Sequence, residues 1–170
     1  MRESLKWIRE SVRMVDSRDT TIDMQDLAKT FSICIRQFEM DANIRISGNL
    51  EQFRKKVAGQ SISAEHARFL YGAIQECLSN SVRHGKASAV TVRMDYSHTI
   101  IEVEVTDNGG GRPDNDGESL GFGLKKIDAY LKANSGGMKC MEGTGFTVRM
   151  WLPTEVNGIS EWYNEDHTGR

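Results

Sequence analysis

Glycine is distributed unevenly along the chain, and this distribution constrains the fold more than any other feature of the sequence. Ten of the 16 glycines fall between Gly109 and Gly145, whereas the first 60 residues contain only Gly48 and Gly59. A glycine cluster inside a domain of helices and strands marks backbone that adopts positive φ or approaches a ligand closely. We therefore look for the functional site in this segment.

The composition is that of an ordinary globular chain. Its 170 residues correspond to about one domain, and the net charge of −2 is close to neutral. No basic tract is longer than two residues, so the charge pattern does not support direct nucleic-acid binding. No apolar run approaches the ~18 residues of a membrane span, and the N-terminus lacks the apolar core of a signal peptide.

The three cysteines, Cys34, Cys77 and Cys140, are far apart and form no CxxC pair. This usage is typical of reduced thiols in a cytosolic chain. It excludes a structural zinc site.

Hydrophobic periodicity predicts helices that alternate with pairs of strands. The clearest helix is Ala64–His84, with Ser63 as its N-cap. Period-two alternation predicts a hairpin from Val90–Met94 and Ile101–Val105. Further elements are predicted as a helix from Met24 to Phe38, a strand at Asn43–Ser47, a helix at Leu124–Leu131, and strands at Met138–Glu142 and Phe146–Leu152. Strand pairs without helical crossovers favour an α+β two-layer sandwich, in which helices cover one face of a mixed, mostly antiparallel sheet.

Both chain ends are predicted to differ from this domain. Leu5, Ile8, Val12 and Val15 form a two-heptad apolar seam on a short helix that needs a partner to be stable. The C-terminal tail, Thr154–Arg170, shows no periodicity and is predicted to be frayed.

Three clusters carry the polar residues that could perform chemistry. The first lies on the long helix, where Glu76, Asn80 and Arg83 share one sector with His84 beside them, at the end of an apolar stripe. An alternative is a plain helix end, in which Arg83 and His84 favour the helix dipole and Glu76 pairs with Arg83.

The other two clusters lie in the glycine-rich segment. Asp107 ends a predicted strand and is followed by Asn108 and three glycines, which is more glycine than a turn needs. Gly121-Phe-Gly123-Leu124 opens a helix, where unshielded amides can bind phosphate oxygens. The polar stretch Arg112–Leu120 between them has the composition of a mobile lid.

Taken in this order, Gln75–His84 (QECLSNSVRH), Asp107–Gly111 (DNGGG) and Gly121–Leu124 (GFGL) resemble the N, G1 and G2 boxes of the Bergerat-fold ATP-binding superfamily. The pattern is most similar to the catalytic and ATP-binding domain of bacterial two-component sensor histidine kinases. Within these it resembles the group that pairs with NarL-type response regulators. That group has a short lid and an A-x-x-V-x-V phrase, present here as Ala87–Val92.

The resemblance implies ATP and Mg²⁺ as ligands and assigns a role to each matching residue. Asp107 would bind the adenine amino group, with Gly109 and Gly111 shaping the pocket. Asn80 would be the Mg²⁺ ligand, and Glu76 the catalytic residue beside the γ-phosphate. The triphosphate would be met by the remaining residues of the boxes, which are Arg83, His84, Gly121, Gly123 and Leu124.

The resemblance also implies partners that these residues do not contain. The family's acceptor histidine lies on an upstream dimerisation domain, and none of the four histidines here has that setting. Residues 1–18 would then be the end of that domain's second helix, 19–153 the ATP-binding domain, and 154–170 the tail. The whole protein would be a homodimeric sensor kinase that acts on a NarL-type response regulator, with this domain in the cytoplasm and the kinase itself in the membrane.

Besides the missing acceptor histidine, the sequence departs from the family's pattern at one position, and two rival functions stay open. Phe146 occupies a position near the adenine pocket where the family commonly has threonine, so Thr144 or Thr147 is a candidate substitute. An anti-sigma factor serine kinase of the same fold is one alternative function. A regulatory module that has lost ATP binding is the other.

Overall fold

The structure is a computed structural model that describes residues 21–110 and 121–154. Its helices and strands follow the predicted order, with three short elements added. In chain order they are β1 (Thr21–Asp23), α1 (Met24–Ala42), β2 (Arg45–Gly48), α2 (Leu50–Lys56), β3 (Ser61–Ser63), α3 (Ala64–Arg83), β4 (Ala89–Ser97), β5 (Ile100–Asp107), α4 (Phe122–Ala133), β6 (Gly137–Glu142) and β7 (Phe146–Pro153). The predicted N-terminal helix, the lid and residues 155–170 of the tail lie outside the described residues.

The main sheet has five strands in the order β2-β4-β5-β7-β6. The pair β2 and β4 is parallel, and the other three pairs are antiparallel. A separate two-stranded sheet joins β1 and β3. The prediction of a mixed, mostly antiparallel sheet is therefore confirmed.

The core lies between this sheet and the helices. On β5, Ile101, Val103 and Val105 are buried on one face, while Glu102 and Glu104 between them are only partly buried on the other. The apolar stripes of α1, α3 and α4 pack on the buried face and form one continuous hydrophobic cluster with it. The predicted two-layer α+β architecture follows from this single alternation.

The helix ends are fixed by the chemistry of their flanking residues. Ser63 Oγ accepts a hydrogen bond from the His66 amide at 3.0 Å, as predicted for the N-cap of α3. Asp23 Oδ1 caps α1 in the same way, accepting from the Gln25 amide at 2.7 Å. The stretch from Glu51 to Gln60 has no clear periodicity and becomes the short α2, a turn and the approach to β3.

Among the described residues, no helix combines the length and the apolar character needed to cross a membrane.

Candidate functional site

Glu76 and Asn80 lie side by side near the C-terminal end of α3. They are one turn apart, both half-buried, and Asn80 Nδ2 donates to Glu76 Oε1 at 3.2 Å. The plain helix-end alternative requires an ion pair between Glu76 and Arg83. The structure shows no such pair, and Glu76 bonds to Asn80 instead. Asn80 Oδ1 accepts no hydrogen bond from another described residue, so this oxygen is available to a ligand.

The N-terminus of α4 presents backbone amides that bond to no acceptor among residues 21–110 and 121–154. Its N-cap is Gly121, which has no side chain to accept a hydrogen bond, and the first helical bond runs from the Lys125 amide to the Gly121 carbonyl at 3.0 Å. The amides of Phe122, Gly123 and Leu124 precede that bond, so they have no acceptor within the helix. Together with the helix dipole they form an arrangement that favours anions.

Glu76 reaches this helix end directly. A Cβ added at Gly123 would overlap the Glu76 carboxylate, so only a glycine allows this side chain to lie against the backbone of α4. Leu124, buried next to it, anchors the first turn of α4 in the core. The structure therefore brings together the first and third predicted clusters.

An aromatic contact fixes α4 against α3 further along. The rings of Phe69 and Tyr130 stack with their centroids 3.9 Å apart and their planes 16° from parallel. Tyr130 donates to Glu65 Oε1 at 3.1 Å, and burial, followed by that bond, raises its pKa to about 12. The phenol is therefore neutral at physiological pH and holds the two helices together.

Asp107 is a buried carboxylate at the end of the central strand β5. It continues the inward alternation of that strand and retains only 6% exposure. Its Oδ1 accepts from the amides of Gly109 at 2.9 Å and Phe146 at 3.2 Å. Its Oδ2 accepts from no other described residue. One oxygen is thus held by the backbone, and the other is able to accept a further hydrogen bond.

Three glycines surround this carboxylate. A Cβ on Gly109 would overlap the carbonyl of Gly85, and one on Gly145 would overlap the carbonyl of Asp107. A Cβ on Gly85 would lie 3.4 Å from Asp107 Oδ2. Sequence reasoning selected Gly109 but missed Gly85 and Gly145. Their signals were a glycine directly after a helix end and a second glycine in the Gly143-Thr-Gly145 turn.

The structure corrects one expectation about the predicted pocket. Thr147 lies on the opposite face of the sheet, where its Oγ1 is 3.0 Å from Thr106 Oγ1, so it cannot replace the family's threonine. Thr144 is exposed in the turn between β6 and β7. Phe146 contributes its backbone amide to Asp107, and its ring packs against the core cluster.

Arg83 and His84 are both exposed at the end of α3, where the His84 amide donates to the Asn80 carbonyl at 2.9 Å. Arg83, together with Glu76, lines a largely apolar cavity of about 560 Å³ between α1 and α3. Neither side chain forms an ion pair within residues 21–110 and 121–154. Their predicted phosphate contacts would therefore form only when nucleotide is present.

Two of the predicted features cannot be placed. Gly111 and the lid Arg112–Leu120 lie outside the described residues. Within the part of the chain that the structure describes, no group of three or more His, Cys, Asp or Glu side chains could hold a metal ion.

A glycine-walled carboxylate, an uncapped helix N-terminus and a paired amide and carboxylate define a nucleotide-binding α+β domain. Residues 65–156, which span the whole site, match the family described as histidine kinase-, DNA gyrase B- and HSP90-like ATPase. The chain belongs to this family, as its three sequence boxes predicted.

The relatives of the chain are sensor histidine kinases. The sensor histidine kinase LiaS of Bacillus subtilis is 29% identical over 114 residues, covering 61% of this chain and 32% of LiaS. The signal transduction histidine-protein kinase/phosphatase DegS of Brevibacillus brevis is 25% identical over 169 residues, covering 90% of this chain and 42% of DegS. The chain thus spans about a third to two-fifths of these relatives. Its ATP-binding domain is of the sensor histidine kinase type.

The fold is also that of solved kinase domains. The histidine kinase domain of the blue-light activated histidine kinase from Erythrobacter litoralis EL346 superposes with a TM-score of 0.67. The two are 16% identical, and the match covers 89% of this chain and 72% of that domain. The predicted Bergerat architecture is therefore confirmed.

Proposed function

We propose that the chain binds ATP with Mg²⁺ between α3, α4 and the end of β5, and donates its γ-phosphoryl group to a histidine on another domain. The observation that carries this proposal is Asp107, a buried carboxylate with one oxygen held by two amides and the other open. A buried carboxylate is costly unless its charge is compensated. The adenine amino group is a donor that would form a hydrogen bond with the open oxygen of Asp107.

The phosphates would lie at the other end of the site. The open amides of Phe122, Gly123 and Leu124 provide donors for phosphate oxygens without a charged side chain. Glycine at 121 and 123 keeps side chains away from the approach to these donors. Arg83 and His84 are exposed at the end of α3 and would contact the phosphates.

The donor set fits Mg²⁺ carried by the nucleotide. Asn80 offers an amide oxygen, and the carboxylate of Glu76 lies beside it. Mg²⁺ prefers hard oxygen ligands and is commonly held by one or two protein oxygens, with phosphates and waters supplying the rest. When bound, it would neutralise charge on the β- and γ-phosphates.

The reaction forms a bond between an imidazole nitrogen of the acceptor histidine and the γ-phosphorus. The bond between the γ-phosphorus and the β,γ-bridging oxygen breaks, and ADP leaves with that electron pair. The protein's contribution is positioning and charge stabilisation. Glu76, held against Gly123, would orient the shell around the γ-phosphate.

The whole protein's partners follow from the same proposal. The acceptor histidine would lie on the protein's own dimerisation domain, which residues 1–18 would join to this one. The phosphoryl group would pass to a response regulator of the NarL type. We place this domain in the cytoplasm, as part of a sensor kinase anchored in the membrane. The presence of further domains is supported by the sensor kinases LiaS and DegS, which are more than twice as long as this chain.

Radiolabelled ATP tests the proposed transfer. With [γ-³²P]ATP and Mg²⁺, the chain alone should acquire no acid-labile label. The intact protein, with its dimerisation domain, should acquire acid-labile, base-stable label on one histidine. Label on serine of a separate protein would indicate the anti-sigma type of kinase instead, and stable label on His66 or His98 would contradict the proposal.

A further inference from the structure

We propose that Asn108 is the positioning residue that holds Asp107 in place and thereby sets the preference of the site for adenine over guanine. This inference rests on the proposed function, because it concerns how the same pocket discriminates between nucleotide bases. The residue directly follows Asp107 but makes its contacts in a different direction.

The side chain of Asn108 clamps the start of β4. Its Oδ1 accepts from the backbone amides of Ser88 at 3.0 Å and Ala89 at 2.9 Å, and its Nδ2 donates to Ser88 Oγ at 3.0 Å. Its own amide donates to the Ala89 carbonyl at 3.1 Å. Asn108 therefore bonds to the two adjacent residues Ser88 and Ala89 through both side-chain groups, the carbonyl oxygen and the NH2, and through its main-chain N–H.

Together with two backbone hydrogen bonds, the Asn108 clamp connects the end of α3 to the end of β5. The segment between α3 and β4 is bonded back to α3 by the Ala87 amide, which donates to the Ser81 carbonyl at 3.0 Å. It is also bonded to the glycine loop by the Gly110 amide, which donates to the Gly85 carbonyl at 3.0 Å. Through its bonds to Ser88 and Ala89, the side chain of Asn108 fixes this segment to the end of β5. The end of β5 and the end of α3, which carries Asn80, are thus held in one geometry.

The position of Asp107 Oδ2 decides which base fits. Adenine presents an amino group where guanine presents a carbonyl oxygen, so a fixed carboxylate attracts the first and repels the second. Asp107 lies among Gly85, Gly109 and Gly145, whose backbone offers no side chain to support it. Without the clamp, the end of β5 and the glycine loop that follows Asp107 would sample other positions, and discrimination between adenine and guanine would fall.

The chain contains a matched control for this clamp. Asn49 bonds a position further along β4 in a similar manner, because its Nδ2 donates to the Met94 carbonyl at 2.9 Å and its Oδ1 accepts from the Met94 amide at 2.8 Å. It lies far from Asp107 in the sheet, since Met94 pairs with Val103 while Val90 pairs with Asp107. If Asn108 had only a structural role, replacing either asparagine would have the same effect on nucleotide selectivity.

The experiment compares wild type with Asn108→Ala, Asn108→Asp and Asn49→Ala in two measurements. The first is hydrogen exchange of the Gly109 and Phe146 amides without nucleotide, because both donate to Asp107 Oδ1. The second is the ratio of affinities for ATP and GTP in the presence of Mg²⁺. Thermal unfolding of each variant shows that it is folded.

We expect Asn108→Ala to speed exchange at both amides and to lower the ATP/GTP ratio about tenfold, the loss expected for about one charge-assisted hydrogen bond. Asn108→Asp keeps the acceptor for Ser88 and Ala89, so the ratio should stay near the wild-type value. Its added charge would weaken both nucleotides alike. Asn49→Ala should lower stability only.

Unchanged exchange in Asn108→Ala, or an equal effect of Asn49→Ala on the ratio, would overturn the role of Asn108. These results are distinguishable from failure of the proposed function, in which wild type itself binds no ATP. That outcome would overturn the selectivity role as well, whatever the exchange data show about the clamp.

Discussion

The Glu76 carboxylate lies against the backbone of Gly123, at the point where α4 begins. This contact joins the helix that carries Asn80 to the helix whose amides are open to phosphate. It requires a glycine, because any Cβ at position 123 would occupy the space of the carboxylate. The catalytic geometry that we propose therefore depends both on the carboxylate of Glu76 and on the lack of a side chain at Gly123.

Gly123→Ala should impair nucleotide binding and phosphoryl transfer without unfolding the domain. A Cβ at position 123 displaces the Glu76 carboxylate, so the contact between α3 and the start of α4 is lost. Gly72→Ala is the control, because this exposed glycine lies in the same helix as Glu76 and a Cβ there meets no atom within 4 Å. It should raise stability by up to about 1 kcal/mol. Equal ATP affinity in the two variants would contradict the role of the contact.

Asn80→Ala should remove the Mg²⁺-dependent part of ATP binding. The amide oxygen of Asn80, which lies beside Glu76, is the Mg²⁺ ligand that we propose. Titration of ATP with Mg²⁺ and with EDTA should therefore give different affinities for wild type and similar affinities for the variant. Asn80→Asp retains a hard oxygen, so it should retain a difference between the two conditions. A Mg²⁺ effect of wild-type size in Asn80→Ala would exclude this residue as the ligand.

Much of this arrangement can be predicted from the sequence because its determinants are local. Ser63 and the apolar stripe of α3 define that helix, and alternation in β5 places Asp107 on the buried face. The contact between Glu76 and Gly123 could not be predicted, because it joins residues 47 positions apart through the packing of two helices. The same holds for Gly145, which approaches Asp107 only because β7 pairs with β5.

The sequence left Thr147 as a candidate substitute for the family's threonine, and the structure excludes it for a related reason. In a strand, adjacent residues point to opposite faces, so a one-residue difference decides between pocket and outer surface. The backbone amide of Phe146, not its side chain, contacts Asp107. Backbone contacts of this kind leave no trace in residue identity.

Stability should fall as the pH rises above 9. Burial, followed by the influence of Cys140 and Glu76, raises the pKa of the Cys77 thiol from 9.0 to about 12. Between these values the unfolded chain loses the proton and the folded chain keeps it, so the free energy of unfolding decreases with rising pH. Urea unfolding at pH 7 to 10 measures this slope, which should be smaller in Cys77→Ala. Identical slopes would show that Cys77 ionises equally in both states.

The central claim is that Asp107 recognises ATP, and calorimetric titration of ATP with Mg²⁺ tests it most directly. Asp107→Asn removes the negative charge and replaces one carboxylate oxygen with an amide NH2 group that cannot accept a hydrogen bond, so affinity should fall about tenfold to a hundredfold, equivalent to about 1.5–3 kcal/mol for a lost charge-assisted bond. Asp95→Asn is the matched control on β4, where the carboxylate is exposed and pairs with Lys56 at 2.6 Å. It should bind within about twofold of wild type, since exposed ion pairs contribute little. Wild-type affinity in Asp107→Asn would contradict the account.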